Sequence, residues 1–155
     1  MQETPDIFRL LPTSGAIFSF LAAGCGFFGH GLASQFERVI GIEWSEPAVR
    51  IARVQAAANE AYLCADVSEA LESALQEHRP DSILLDPSAD GINDKAAQTI
   101  LQHAPQQVIY VSCNPPVLAR DLAKLATRFR IESVQPFDMF PQTAEIEVVA
   151  ILSRK

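Results

Sequence analysis

The sequence predicts an α/β domain: a seven-stranded, mostly parallel sheet with one antiparallel strand and helices on both faces. Three observations predict it. Short β-rich apolar runs alternate five times with longer helical runs, the pattern of a parallel sheet with helical crossovers. The last two apolar runs, 131–140 and 144–155, follow each other without a helix, so one of them reverses direction. Polar and glycine residues gather at the carboxyl ends of the runs, where open α/β sheets bind ligands.

The elements read in order as follows. "AIFSFLA" (16–22) is the first strand, and "GHGLASQF" (29–36) begins the helix after it. "RVIGIE" (38–43) is the second strand. "EPAVRIARVQAAANE" (46–60) is a helix, with Pro47 near its first turn and apolar Val49, Ala52, Val54 and Ala56 among charged positions. "AYLCAD" (61–66) is the third strand, and "SEALESALQEH" (68–78) is a helix capped by Ser68. "SILLD" (82–86) is the fourth strand, "NDKAAQTILQHA" (93–104) a helix and "QVIYVSC" (107–113) the fifth strand. "PVLARDLAKLATRF" (116–129) is a helix, with Asn114 as N-cap and two prolines in its first turn.

Bulk properties narrow the function. A chain of 155 residues suits one domain, and 48% hydrophobic residues supply a core. We expect a single domain over 1–155, with 1–15 as an N-terminal extension. A net charge of −7 argues against a surface that holds nucleic acid by charge alone. The three cysteines have no metal-ligand spacing and read as free thiols of a reducing cytoplasm, with no metal expected. "MQETPDIFRL" is not a signal peptide, and the uninterrupted part of "GAIFSFLAAGCGFFGHGLA" is too short to span a bilayer.

The strand ends carry the chemistry. "GCGFFG" (24–29) fits G-x-G-x-x-G between a strand and a helix, with the acid Glu43 about 20 residues on. Gly24 and Gly26 would let a ligand approach the backbone, and Glu43 would accept hydrogen bonds from ribose hydroxyls. Such a turn suits a nicotinamide or flavin dinucleotide, or S-adenosyl-L-methionine. Asp66 either bonds an adenine amino group or caps the next helix. Asp86, held extended by Pro87, faces the crevice and can bond an imide or amide, or simply form a turn. Cys113 sits just before a helix N-terminus, which favours the thiolate and hence reactivity. Cys25 and Cys64 read as inert, buried small residues. Glu145 and Glu147 share a strand face, Glu147 being either a base beside an apolar run or an edge solubiliser. Pattern alone favours the solubiliser.

Two stretches narrow the choice. "VIYVSCNPPVLARDL" and "FDMFPQTAEIEVVAIL" closely resemble the C-terminal catalytic domain of RNA uracil-5-methyltransferases, and "AGCGFFGHGLA", "VIGIEWSEPAVRIARVQAAAN", "CADV" and "LLDPSADG" look like that family's cofactor and Asp-Pro motifs in order. The resemblance covers about residues 16 to 153. It implies a Rossmann-like class I methyltransferase fold with S-adenosyl-L-methionine as cofactor and tRNA or rRNA as substrate. It also implies roles: Cys113 adds to uracil C6, Glu147 removes the C5 proton and Asp86 holds the uracil edge. Gly24, Gly26, Glu43, Asp66 and Asp86 line the cofactor.

The chain departs from the family pattern at Phe20, Ala89 and Glu145, where an Asp, an Arg and a His are usual. The family's N-terminal RNA-binding domain is expected to be absent, so RNA binding would draw on another domain or protein. These departures motivate an alternative, a degenerate methyltransferase-like domain that binds without catalysing. A dinucleotide-dependent oxidoreductase ranks last, because it leaves "SCNPP" and "FPQT" unexplained.

Overall fold

The computed structural model describes residues 15–21, 24–138, 142 and 146–155, with 15–21 described as backbone. The strands are β1 (Gly15–Leu21), β2 (Phe36–Glu43), β3 (Glu60–Cys64), β4 (Ser82–Leu85), β5 (Gln107–Ser112), β6 (Phe129–Phe137) and β7 (Glu147–Arg154). The helices are α1 (Phe27–Leu32), α2 (Glu46–Gln55), α3 (Val67–His78), α4 (Asp94–His103) and α5 (Pro115–Leu125). A 3-10 turn, Ala33–Gln35, joins α1 to β2. All seven strands form one sheet in the order β3-β2-β1-β4-β5-β7-β6. β1 to β5 are parallel, and β7 runs antiparallel between β5 and β6. The expected architecture, with its single antiparallel strand, is the one observed.

The chain winds outward from β1 through β2 to β3, then returns to the other side of β1 for β4 and β5. The reversal lies between β1 and β4, which opens a crevice beyond their carboxyl ends. Alternate side chains feed two cores. Ile83, Leu85, Val108 and Tyr110 face α3, α4 and α5, joining Leu71, Leu75, Ile100, Leu118 and Leu125. Leu84, Ile109 and Val111 face the other side, with Phe28 and Leu32 of α1 and Val49 and Ala52 of α2. The period of two along each strand is what lets one sheet hold both cores.

Several boundaries differ from expectation, each for a local reason. α1 starts at Phe27, not residue 29, and Phe36 already belongs to β2. α2 stops at Gln55 rather than 60, although "AAAN" favours helix. Asn59 accounts for this: its Nδ2 donates to Ala33 O at 2.7 Å and Phe36 O at 2.8 Å, beneath the 3-10 turn. Arg53 reinforces the bend, its Nη2 donating to Tyr62 O at 2.7 Å. α5 ends at Leu125 rather than 129, because the fully buried Phe129 begins β6.

Capping also differs. Ser68 lies within α3, and Asp66 is the N-cap, its Oδ1 accepting from Ser68 N at 2.7 Å. Asn114 occupies the N-cap position of α5 without capping it by its side chain, which is used elsewhere. Residues 1–14, which include most of the expected N-terminal extension, lie outside the described residues, as do Phe140, Pro141, Thr143 and Glu145.

Replacing Asn59 with alanine removes two side-chain bonds to backbone carbonyls. We expect Asn59→Ala to lower the unfolding free energy by about 2 kcal/mol, read as a lower urea midpoint at unchanged slope.

Candidate active site

The carboxyl ends of β1, β2, β4 and β5 converge on the crevice. Beyond β1, Gly24 and Gly26 take positive φ angles of 51° and 92°. Nothing lies within 4 Å of the place a Cβ would occupy on Gly24, so this turn exposes backbone to an approaching ligand. Gly26 is closed in from below. A Cβ there would lie 2.5 Å from His30 Nε2 and 3.0 Å from Tyr62 Oη.

Beneath the turn, the Glu60 carboxylate accepts from Tyr62 Oη and from His30 Nδ1, each at 2.6 Å. Burial and this carboxylate push the Tyr62 phenol well above its ordinary range. His30 Nε2 is buried without a hydrogen-bond partner among the described residues. The sequence reading missed this cluster, because His30, Glu60 and Tyr62 meet only when α1 packs over β3.

Glu43, only 6% exposed, ends β2. Its Oε2 accepts from Gly24 N at 2.9 Å and its Oε1 from Ser45 N at 2.8 Å. Glu43 therefore holds the glycine turn in place, an addition to its predicted part as a ligand group. Trp44 follows, 74% exposed. A cavity of about 280 Å³ opens beside it, with Asp66, Ser68, Asp86, Ile92 and Asn93 in its walls. The bonds from Ser68 hold the Asp66 carboxyl below its ordinary value.

Asp86 directly follows β4, Cys113 directly follows β5, and Glu147 begins β7. Ser112 pairs with Val148, so one further step of the register sets Cys113 beside Glu147. Leu85 pairs with Tyr110, which puts Asp86 at the same end of the neighbouring strand. Burial, and then the charge of Glu147, raise the Asp86 carboxyl from 3.8 to about 6. The strand ends thus bring all three predicted catalytic positions into one neighbourhood. Such a set offers a nucleophile, a carboxylate beside it and a second carboxyl able to hold a proton near neutral pH.

Asn114 joins the loops, its Nδ2 donating to Ala89 O at 3.0 Å. All three cysteines are free and exposed, which corrects the reading of Cys25 and Cys64 as buried residues. Cys25 stands on the glycine turn, and Cys64 ends the outermost strand β3 with its thiol donating to Trp44 O at 3.7 Å. Among the described residues no helix is long and apolar enough to cross a membrane, and no three His, Cys, Asp or Glu side chains gather as a metal site.

Residues 18–155 match the family model described as tRNA (uracil-5-)-methyltransferase. The chain belongs to this family. Among family relatives, an RNA methyltransferase of Bacillus cereus is 41% identical over 137 residues, covering 85% of this chain. Another, from Listeria innocua, is 38% identical over the same length. The chain spans 30% of the length of each of these relatives. The tRNA (uracil-54, C5)-methyltransferase of Pyrococcus abyssi, solved with S-adenosyl-L-homocysteine, is 28% identical with a TM-score of 0.79, and covers 93% of this chain and 35% of its own. The N-methyltransferase NodS of Bradyrhizobium japonicum, at 15% identity and a TM-score of 0.73 over 91% of this chain and 79% of its own, shares the fold. The Rossmann-like methyltransferase fold of this family member is thereby shown.

The raised Asp86 carboxyl makes a pH prediction. Between about pH 4 and 6 the folded chain holds a proton there that the unfolded chain releases. This stabilising contribution is complete below the ordinary value and fades as pH rises through about 6. Asp86→Asn cannot ionise. We expect its urea stability relative to wild type to improve by on the order of 2 kcal/mol between pH 4 and pH 7.

Proposed function

We propose that the chain is the catalytic domain of an S-adenosyl-L-methionine-dependent enzyme that methylates C5 of uridine in tRNA or rRNA. The observation that carries this reading is the meeting of Cys113, Asp86 and Glu147 at neighbouring strand ends, next to the cavity walled by Asp66 and Trp44. The cofactor fits these residues. Gly24 leaves open space at its backbone, and the carboxylates of Glu43, Asp66 and Asp86 suit a ligand with a positively charged sulfur. Exposed Trp44 and the Gly24–Gly26 turn would flank its adenosine.

C5 of uracil is a poor nucleophile, and Cys113 changes that. Its sulfur forms a bond to C6, and the ring electrons shift to give an enolate with carbanion character at C5. Asp86 holds the imide edge, accepting from N3–H when ionised or donating to a ring carbonyl when protonated. The cofactor, when bound, would supply an electrophilic methyl group; C5 bonds to that methyl as its bond to sulfur breaks, leaving neutral S-adenosyl-L-homocysteine. Glu147 then removes the C5 proton, the electrons return to the ring and the sulfur leaves C6. The thiol is regenerated, and the net change is a methyl group for a hydrogen.

RNA docking in this reading involves another domain or protein, since the chain carries a net charge of −7 and the site is ringed by acids. The three free thiols suit a cytoplasmic setting.

The test uses RNA bearing 5-fluorouridine, whose C5 has no proton to lose after methyl transfer. With cofactor, the wild-type chain should form an RNA adduct that survives denaturing electrophoresis, and Cys113→Ala should form none. Glu147→Gln should slow turnover on ordinary uridine by roughly 10²–10⁴-fold while the methylated adduct accumulates. Absence of any wild-type adduct on RNA that the chain is shown to bind would sink the covalent reading.

A further inference from the structure

The loop that carries Asp86 is fastened to the helix that follows Cys113 by a buried charge outside the set of residues discussed above. Asp121 lies on α5 and is 0% exposed. Its Oδ2 accepts from Ile92 N at 2.9 Å and from Tyr110 Oη at 2.7 Å. Its Oδ1 faces Arg120, with Nε and Nη2 each at 2.9 Å, and Lys124 Nζ at 3.7 Å. Arg120 also reaches across the loop, its Nη2 donating to Asp90 O at 2.8 Å.

Together with Asn114 on Ala89, these bonds reach the loop at three points within four residues. The fit leaves no slack. Gly91 has a φ of 75°, and a Cβ there would lie 2.3 Å from Asp121 Oδ2 and 2.5 Å from Val117 Cγ1. Gly91 and Ile92 also wall the 280 Å³ cavity, on the side next to Asp86.

We propose that Arg120 and Asp121 are positioning residues for methyl transfer, clamping the Asp86–Ile92 loop to the Cys113 helix so that cofactor wall, uracil-binding carboxyl and nucleophile keep one spacing. The proposal rests on the reading of the site given under Proposed function. Its physical basis is the cost of a buried charge. An apolar side chain of similar size would fill the place without desolvation, whereas Asp121 must be satisfied by several partners at once. Two of those partners, the Ile92 amide and Arg120 with its bond to Asp90, belong to the loop or grip it. Small displacements of a reacting pair cost rate steeply, so a rigid loop matters to the chemistry.

The test compares Arg120→Ala, Arg120→Lys and Asp121→Asn with wild type in the intact chain. Amide exchange is followed peptide by peptide, and S-adenosylhomocysteine is titrated by the fluorescence of Trp44, the one tryptophan, at the cavity rim. We expect Arg120→Ala to speed exchange across 86–93 about tenfold while α3 keeps its wild-type rate, and to weaken S-adenosylhomocysteine about fivefold. Arg120→Lys should recover part of both, and Asp121→Asn should exceed Arg120→Ala in both. Unchanged exchange and affinity in a folded Arg120→Ala, or equal acceleration in α3 and the loop, would overturn the clamp while leaving the proposed reaction standing. A wild-type chain that does not bind S-adenosylhomocysteine would overturn the cofactor reading, and the positioning role with it.

Discussion

Asp121 is a carboxylate with no contact with water, and the loop before α4, β5 and α5 meet around it. A buried charge of this kind is tolerated only with good geometry and several donors. The donors come from three places: the β5 side chain Tyr110, the α5 side chain Arg120 and the backbone of Ile92 ahead of α4. Burial and the bond to Asp121 in turn hold the Tyr110 phenol far above its ordinary range, fixing it as a donor. The backbone passes so close at Gly91 that a side chain there would strike the carboxylate. The Asp86 loop and the start of α5 are therefore a single piece of structure, although 27 residues separate Asp86 from Cys113. On the other side of the sheet's reversal, Glu43 performs a similar task on a smaller scale, tying the glycine turn to the end of β2.

Much of this was legible before folding was considered. Apolar runs at the right spacing placed every strand, and the absence of a helix between the last two announced the antiparallel strand. Asp86 and Cys113 could be picked out because each falls just past the end of such a run, whereas Glu147, at the start of one, stood out only through the family resemblance. Long-range pairings were not legible. "AAAN" promises more helix, but Asn59 takes bonds to residues more than 20 positions away and ends α2 early. Asp66 and Ser68 are both good cap residues, and only the backbone shows that Asp66 caps. One signal for Asp121 was available. In "LARDLAKL" it stands three residues after Leu118 and four before Leu125, on the apolar face of the helix, where an acid needs an explanation.

The electrostatics of the crevice are one-sided. Glu43, Asp66, Asp86 and Glu147 all lie at the same end of the sheet, in a chain already negative. Burial first, and then the charge of nearby Glu147, make Asp86 keep its proton longer. The same field attracts a cationic small molecule and repels a polyanion. A domain so arranged is well matched to holding a sulfonium cofactor, and its relatives in the tRNA (uracil-5-)-methyltransferase family carry a much longer chain around the same module.

The insertion of β7 between β5 and β6 has a consequence for the order of assembly. Every other strand next to β5 or β6 is made earlier, yet the strand that joins these two is the last to be synthesised. Until residues 147–154 emerge, β5 has one free edge, β6 has no partner and Cys113 stands without the strand that bears Glu147. The closing of the sheet and the arrival of Glu147 beside Cys113 are the same event, so a chain lacking β7 would leave β5 with an open edge and β6 without a partner.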